Sequence, residues 1–194
     1  IKGLETLHNL ERLELHNNPI SKINGLDNLT SLELINLSNT QRKEIDGLDN
    51  LKNLERLYLN NNDITEIGGL DNLENIHYIN LDNNKITEIK GLQNLITLKQ
   101  LNLCNNQITE FKGIDGLVSL VGVNIWDNPI TKIQPIRDVP NLKKIASFDA
   151  KVFSDEDIEV MREWCEREGL RVEICEYEDW DFENPLTLIL EIVR

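Results

Sequence analysis

Few side chains of this sequence are spaced for catalysis or metal binding. The three histidines, His8, His16 and His77, lie at no ligand spacing from a cysteine or a carboxylate. No phosphate-binding motif of the G-x-x-x-x-G-K or G-x-G-x-x-G kind is present. Cys104 is predicted to face outward from a strand, so we expect an exposed thiol, but no neighbouring base is available to activate it. We therefore expect no enzymatic activity, no metal site, no cofactor and no small-molecule substrate.

The sequence contains side chains of the types that dominate protein–protein interfaces, and many of them are related by one spacing. Tyrosine, tryptophan and arginine carry much of the binding energy in such interfaces. Arg56 and Tyr78 are 22 residues apart, as are Trp126 and Phe148. The predicted protein-binding residues are Arg12, Arg56, Tyr58, Tyr78, Asp82, Trp126 and Phe148. Such residues form one surface only if the fold itself repeats with a 22-residue period.

A repeat of that length runs along most of the chain. Glycine recurs every 22 residues from Gly3 to Gly113, and Pro135 takes the next position. The repeated core is L-x-x-L-x-x-L-x-x-L-x-L-x-x-N-x-I-x-x-I. Its L-x-L step, as at Leu57 and Leu59, predicts a short strand with two side chains pointing inward. Leucines three apart predict a short 3₁₀ or irregular segment on the opposite side, and the recurring asparagine is predicted to satisfy buried backbone groups.

The second repeat departs from this pattern. Thr40 stands where the other repeats have asparagine, and Arg42 stands where they have isoleucine. A buried charge is costly unless it is paired. We therefore predict that the loop from Ser38 to Lys43 bulges outward.

Charge limits the kinds of partner. The net charge is −14. Residues 1–150 have fifteen Lys/Arg against twenty Asp/Glu, and residues 151–194 have five against fourteen. This acidity argues against binding to nucleic acid or to anionic lipid, because both require a basic surface. No apolar run approaches the roughly 18 residues of a membrane helix. The odd number of cysteines, three, favours a reducing compartment and predicts a cytoplasmic protein.

Two domains are predicted. Residues 1–150 form a solenoid of about seven repeats, because stacked repeats bury their apolar faces jointly. Residues 151–194 form a C-terminal cap with a helix at about 155–168 and strands at about 170–175 and 186–193. Ser154 and Asp157 resemble a capping box at the helix start, and Gly169 marks its end. The acidic aromatic segment that follows either packs onto the last repeat or contacts a partner.

The repeat L-x-x-L-x-x-L-x-L-x-x-N-x-I-x-x-I-x-G-L resembles the 22-residue class of leucine-rich repeats. That class includes a phosphatase-1 regulatory subunit, and bacterial internalins use the same repeat length, although they usually have Ser-Pro where this chain has Gly-Leu. The resemblance covers about residues 1–150. It implies an α/β leucine-rich-repeat solenoid with a parallel concave β-sheet and a short 3₁₀ or irregular convex side. It also implies partner binding on the concave face and no catalysis.

Two clusters of outward-facing strand residues are the candidate binding sites. Arg56, Tyr58 and Tyr78 lie on adjacent repeats beside Asp82. Trp126 and Phe148 form a second, apolar patch, unless the C-terminal cap covers it.

Three functional hypotheses follow. The leading one is an intracellular, non-enzymatic scaffold or regulatory module that binds a protein. The alternatives are an internalin-like surface adhesin and the recognition domain of a longer enzyme.

Overall fold

Each 22-residue period contributes one short strand to a parallel sheet in a computed structural model, which describes residues 3, 4, 6–134, 138–142, 144–146, 159, 163 and 189–191. The strands are β1 (Arg12–Glu14), β2 (Leu34–Asn36), β3 (Arg56–Tyr58), β4 (Tyr78–Asn80), β5 (Gln100–Asn102), β6 (Glu110–Phe111), β7 (Gly122–Asn124), β8 (Lys132–Ile133), β9 (Lys144–Ala146) and β10 (Ile189–Glu191). The large sheet has the order β1-β2-β3-β4-β5-β7-β9-β10. Its first seven strands are parallel, and β10 pairs antiparallel with β9. The predicted parallel-sheet solenoid is confirmed.

The register of the sheet follows the sequence period. Arg12 pairs with Leu34, Leu34 with Arg56, and Arg56 with Tyr78, so each pairing joins residues 22 positions apart. Neighbouring strands in a sheet lie about 4.8 Å apart. Equivalent side chains of successive repeats therefore form straight columns across the concave face.

The core consists of leucines and isoleucines that the repeat directs inward. Leu57 and Leu59, the two residues of one L-x-L step, are both fully buried. On the convex side, Leu51 N donates to Leu48 O over 3.0 Å, and Leu54 N donates to Leu51 O over 3.0 Å. These hydrogen bonds close successive turns. No 3₁₀ helix is present within residues 6–134. The irregular convex side is confirmed.

A ladder of asparagines supports the turns that follow the strands. Asn84 Nδ2 donates to Leu81 O and to Leu59 O of the preceding repeat, each over 3.0 Å. Asn84 Oδ1 accepts from Ile64 N over 3.0 Å. Asn106 makes the corresponding bonds one repeat later. The recurring asparagine therefore satisfies buried backbone groups, as predicted.

The recurring glycine is required where neighbouring turns touch. Gly69 has φ +66°, and a Cβ atom added there would lie 2.6 Å from Ile45 O of the previous repeat. Gly113 has φ +84°, and an added Cβ would collide with Ile89 O. Left-handed φ and close backbone approach both exclude a side chain here.

The prediction of an outward bulge at Ser38–Lys43 is wrong. Thr40 and Arg42 are both 0% exposed. Thr40 Oγ1 donates to Leu37 O over 2.8 Å and so replaces one bond of the missing asparagine. The Arg42 side chain turns into the core, where Nη2 bonds to the Asp46 carboxylate. The pairing with Asp46 allows a charged residue to occupy an isoleucine position.

Little of the C-terminal segment is described. Residues 189–191 form β10 at the edge of the sheet, inside the segment 186–193 for which the sequence predicts a strand. Of the helix predicted at about 155–168, only residues 159 and 163 are described, and both are helical. The strand predicted at about 170–175 lies outside the described residues. In the described part of the chain, no helix has the length and apolar character needed to cross a bilayer.

Candidate protein-binding face

The concave face of the sheet brings Arg56, Tyr58 and Tyr78 together, and we call these three residues the aromatic cluster. Arg56 and Tyr78 are direct neighbours in the register of β3 and β4. The rings of Tyr58 and Tyr78 have centroids 5.2 Å apart and are tilted by 50°. Burial raises the pKa of Tyr78, and the neighbouring Tyr58 and Asp82 raise it further. The Tyr78 phenol therefore stays neutral, and both rings offer apolar surface with a polar tip.

The two arginines of the concave face differ in whether an ion pair already occupies the guanidinium group. Arg12 is bound to Glu14, with Nη2 2.5 Å and Nε 2.8 Å from Oε1, and His16 Nδ1 lies 3.3 Å from Glu14 Oε2. Burial raises the pKa of Glu14, but hydrogen bonds from Arg12 and Asn36 outweigh this and lower it. Arg56 is exposed and makes no ion pair within the described ranges. Of the two guanidinium groups, that of Arg56 is free for an incoming ligand.

Asp82 and Trp126 lie on the same face, in the column that follows the strands. Asp82 is half-buried, and its Oδ1 accepts from Asn105 Nδ2 over 2.9 Å. Trp126 is 52% exposed, the largest apolar side chain that is exposed among the described residues. Its backbone N donates to Asn124 Oδ1 over 3.2 Å. Phe148, the predicted neighbour of Trp126, lies outside the described residues.

Cys104 does not have the exposure predicted for it. The residue is 5% exposed, although its position in the repeat points to the concave side. Burial raises the pKa of its thiol to about 12, with Asp82 adding to the effect. A thiol with that pKa is almost fully protonated at neutral pH, so it is a poor nucleophile and a poor metal ligand.

The concave face is much less acidic than the chain as a whole. From β1 to β7, its charged side chains are Arg12, Glu14, Arg56 and Asp82, whose formal charges cancel, and β9 adds Lys144 at the position paired with Gly122. The whole chain carries −14. Its acidic residues therefore lie mainly on other surfaces and outside the described residues. Within the described residues, no group of three or more His, Cys, Asp or Glu side chains is placed to hold a metal ion.

A comparison with protein families identifies the repeat. The family model "Leucine Rich repeats (2 copies)" matches residues 8–50, 52–94 and 96–138. The chain belongs to the leucine-rich repeat family. Leucine-rich-repeat proteins generally bind protein partners and are generally non-enzymatic interaction modules, so this fold is that of a protein-interaction scaffold. No curated protein sequence matches the chain significantly.

Solved leucine-rich-repeat structures share the architecture. Internalin C2 of Listeria monocytogenes is 31% identical with a TM-score of 0.67, and the match covers 75% of this chain and 64% of that one. The functional domain of InlJ from the same organism is 22% identical with a TM-score of 0.63, over 78% and 32% of the two chains. A leucine-rich-repeat protein of Leptospira interrogans is 24% identical with a TM-score of 0.62, over 83% and 36%. This chain thus spans less than two thirds of each of these structures.

Two concave residues of this leucine-rich-repeat chain were not among the predicted binding residues. Asn102 and Asn124 are in neighbouring positions of β5 and β7, and they are 4% and 3% exposed. Asparagine is frequent throughout the repeat, so residue type alone does not distinguish these two. The strand register, counted in steps of 22, does place them side by side.

Proposed function

We propose that this chain is a non-enzymatic scaffold or regulatory module that binds a protein partner on its concave face. The observation that carries the proposal is the aromatic cluster, in which Tyr58 and Tyr78 contact each other beside Arg56, which has no ion pair among the described residues. Tyrosine and arginine are enriched among the residues that dominate binding energy. An arginine that has no internal ion pair can form charge-assisted hydrogen bonds with a partner.

The size and charge of the face support a protein ligand. Seven parallel strands about 4.8 Å apart span roughly 30 Å, and a standard interface takes about 800 Å² from each partner. From β1 to β7 the concave face has only four charged side chains, so few charges would have to be desolvated on contact. The acidity of the remaining surface favours a partner with basic regions around its contact site, because long-range charge attraction speeds association.

A test compares capture from native lysate by the wild-type chain and by a Tyr58→Ala/Tyr78→Ala variant. We expect the folded variant to lose a protein that the wild type retains, because two central aromatic contacts are removed. The matched control is Ile96→Ala/Val118→Ala, which removes two exposed apolar side chains of the convex side. Equal capture by wild type and the tyrosine variant would refute concave-face binding. Loss only in the control would place the site on the convex side.

A second candidate function is that of an adhesive module on a cell surface. The similarity to internalin C2 favours it, at 31% identity and a TM-score of 0.67. The two candidates differ in location, since the scaffold is proposed to be cytoplasmic. Fractionation of the native source, followed by immunodetection, separates them. Recovery with the surface fraction would favour the adhesive module, and recovery with the cytosolic fraction would favour the scaffold.

A further inference from the structure

Two buried amide side chains lie next to each other on the floor of the concave face. Asn102 on β5 and Asn124 on β7 pair directly in the sheet register. They are only 4% and 3% exposed. The equivalent Asn36 and Asn80 of earlier strands are half-buried. Neighbouring positions of a sheet are about 4.8 Å apart, so the two amides can contact the same ligand group.

The orientation of both amides is fixed by the backbone. Asn102 Oδ1 accepts from Cys104 N, and Asn124 Oδ1 accepts from Trp126 N, each over 3.2 Å. A backbone N–H can only donate, so the side-chain atom facing it must be the oxygen. The two Nδ2 groups therefore point away from the loop backbone. Each carries two N–H donors.

These donors have no hydrogen-bond partner among the described residues. Neither Nδ2 group is fully buried, however. Among the described residues, the only fully buried side-chain nitrogens without a hydrogen bond are Nε and Nη1 of Arg42. Two held N–H donor groups thus remain reachable from the concave groove. Each of these donors can therefore bond to water or to an acceptor on a ligand.

The surroundings indicate which acceptor would bind. Trp126 is 52% exposed beside Asn124 and offers an indole surface. Gly122 begins the same strand and has no side chain to fill the groove. Asp82 and Asp127 both act electrostatically on Cys104, whose backbone N–H donates to Asn102 Oδ1. This negative charge disfavours an anionic ligand and favours a neutral acceptor with an apolar neighbour.

We propose that Asn102, Asn124 and Trp126 form a subsite for a neutral amide carbonyl of a protein partner, with an adjacent apolar group resting on the indole. The subsite rests on the proposed function, since it supplies one specific contact within the concave-face interface. It predicts that the partner presents an asparagine or glutamine side chain, or an exposed backbone carbonyl, beside an apolar residue. It excludes a carboxylate at this position.

The subsite can be tested without the partner by using a pair of small probes on the full chain. 3-Phenylpropanamide and 3-phenylpropanoate have nearly the same shape, and only the amide is neutral at pH 7. Binding is followed through the indole N–H signal of Trp126 in NMR spectra, assigned by comparison with Trp126→Phe. We expect the amide to shift this signal and the carboxylate to bind about tenfold more weakly. Equal or tighter binding of the carboxylate, or no shift with the amide, would overturn the proposal. If methyl glucoside bound more tightly than 3-phenylpropanamide, the proposal would also be overturned, because the site would then favour a carbohydrate ligand.

Aspartate substitutions separate the donor role from the structural role. Asn102→Asp and Asn124→Asp keep the oxygen that accepts the backbone N–H but replace the outward-facing NH₂ by an acceptor. Each should weaken amide binding by about tenfold. Asn36→Asp is the control on a distant strand, three strands from β5: Asn36 Oδ1 also accepts a backbone N–H, from Ser38 over 3.0 Å, but its amide bonds to Glu14 and is not a free donor. If a buried aspartate prevents folding, Trp126→Ala at the exposed indole still tests the site, with amide binding then followed by the Asn102 and Asn124 NH₂ signals. Amide binding unchanged in the folded variants would contradict the subsite.

The two proposals fail in different ways. If the amide probe does not bind but Tyr58→Ala/Tyr78→Ala still loses a captured protein, the subsite is wrong and concave-face binding stands. If the probe binds as expected but the tyrosine variant retains every captured protein, the subsite stands and the proposed function is wrong.

Discussion

Replacing Arg42 with isoleucine should stabilise the protein, because its guanidinium group is enclosed and only partly paired. Arg42 is 0% exposed, and Nη2 bonds to Asp46, while Nε and Nη1 have no partner. Burial lowers the pKa of Arg42, against the opposing effect of Glu44, which shows that the surroundings disfavour the charge. One repeat later, Ile64 occupies the equivalent position and is fully buried.

The expected gain is about 2 kcal/mol. Two unpaired buried N–H donor groups cost about 1–3 kcal/mol each, and the lost charge-assisted bond to Asp46 is worth about 1.5–3 kcal/mol. Replacing buried ion pairs by apolar residues has a similar effect, often about 1–4 kcal/mol in favour of the apolar side chain. The Asp46 side chain is 35% exposed, so it remains hydrated once its partner is removed.

Urea unfolding followed by circular dichroism measures the change. Arg42→Ile should raise the midpoint without changing the slope. The opposite perturbation, Asp46→Ala, leaves the guanidinium group without its counter-charge and should cost about 3–5 kcal/mol. A destabilised Arg42→Ile variant, or an unaffected Asp46→Ala variant, would refute the reasoning, since either result would mean that the arginine is well accommodated by itself.

Three further predictions concern other parts of the solenoid. Asn84→Ala should lower the free energy of unfolding measured in urea by about 2 kcal/mol, because it leaves the Ile64 amide without an acceptor and removes one of the two asparagine bonds at each of Leu59 O and Leu81 O; a change below about 0.5 kcal/mol would contradict the ladder. Lys112, with other neighbours, lowers the pKa of Glu110 from 4.5 to about 2. A lowered folded-state pKa stabilises above about pH 4.5, and this contribution is lost as the pH falls toward 2. The Tm of the wild type should therefore fall more steeply over that range than the Tm of Glu110→Gln, and parallel curves would contradict this. Gly113→Ala should destabilise more than Gly116→Ala, whose added Cβ meets nothing within 4 Å. Gly116→Ala should cost only about 1–2 kcal/mol, because of its left-handed φ. If calorimetry showed the same loss of stability for both variants, the close approach at Gly113 would be unimportant.

The regular parts of the fold follow from the repeat itself. The L-x-L step at Leu57 and Leu59 predicts both the strand and its buried side, because strand side chains alternate. Asn84 has the predicted role because each turn after a strand leaves similar backbone groups to satisfy. Repetition strengthens both inferences, since a pattern seen at every period constrains the structure more than a single occurrence would.

The departures from the repeat were harder to predict. Whether the Arg42 side chain is buried depends on whether a carboxylate can pair with it. Asp46, four residues later, forms this ion pair. The repeat predicts on which side of the strand Cys104 lies, but its burial depends on the size of its neighbours in three dimensions. The same is true of Asn102 and Asn124, whose free donors appear only when the hydrogen bonds of both amides are known. Whether the predicted binding residues contact a partner stays a prediction.

The in-register pairing of residues 22 apart also bears on how such a chain can evolve. A segment such as 69–90, running from one recurring glycine to the residue before the next, begins and ends at equivalent points of the coil. Its excision by recombination between repeats would join matching backbone conformations and remove one strand. Arg56 would then lie beside Gln100 in place of Tyr78, following the register of the remaining strands. A single genetic event could thereby rearrange the concave surface by a whole strand while each remaining repeat kept the same kind of neighbour.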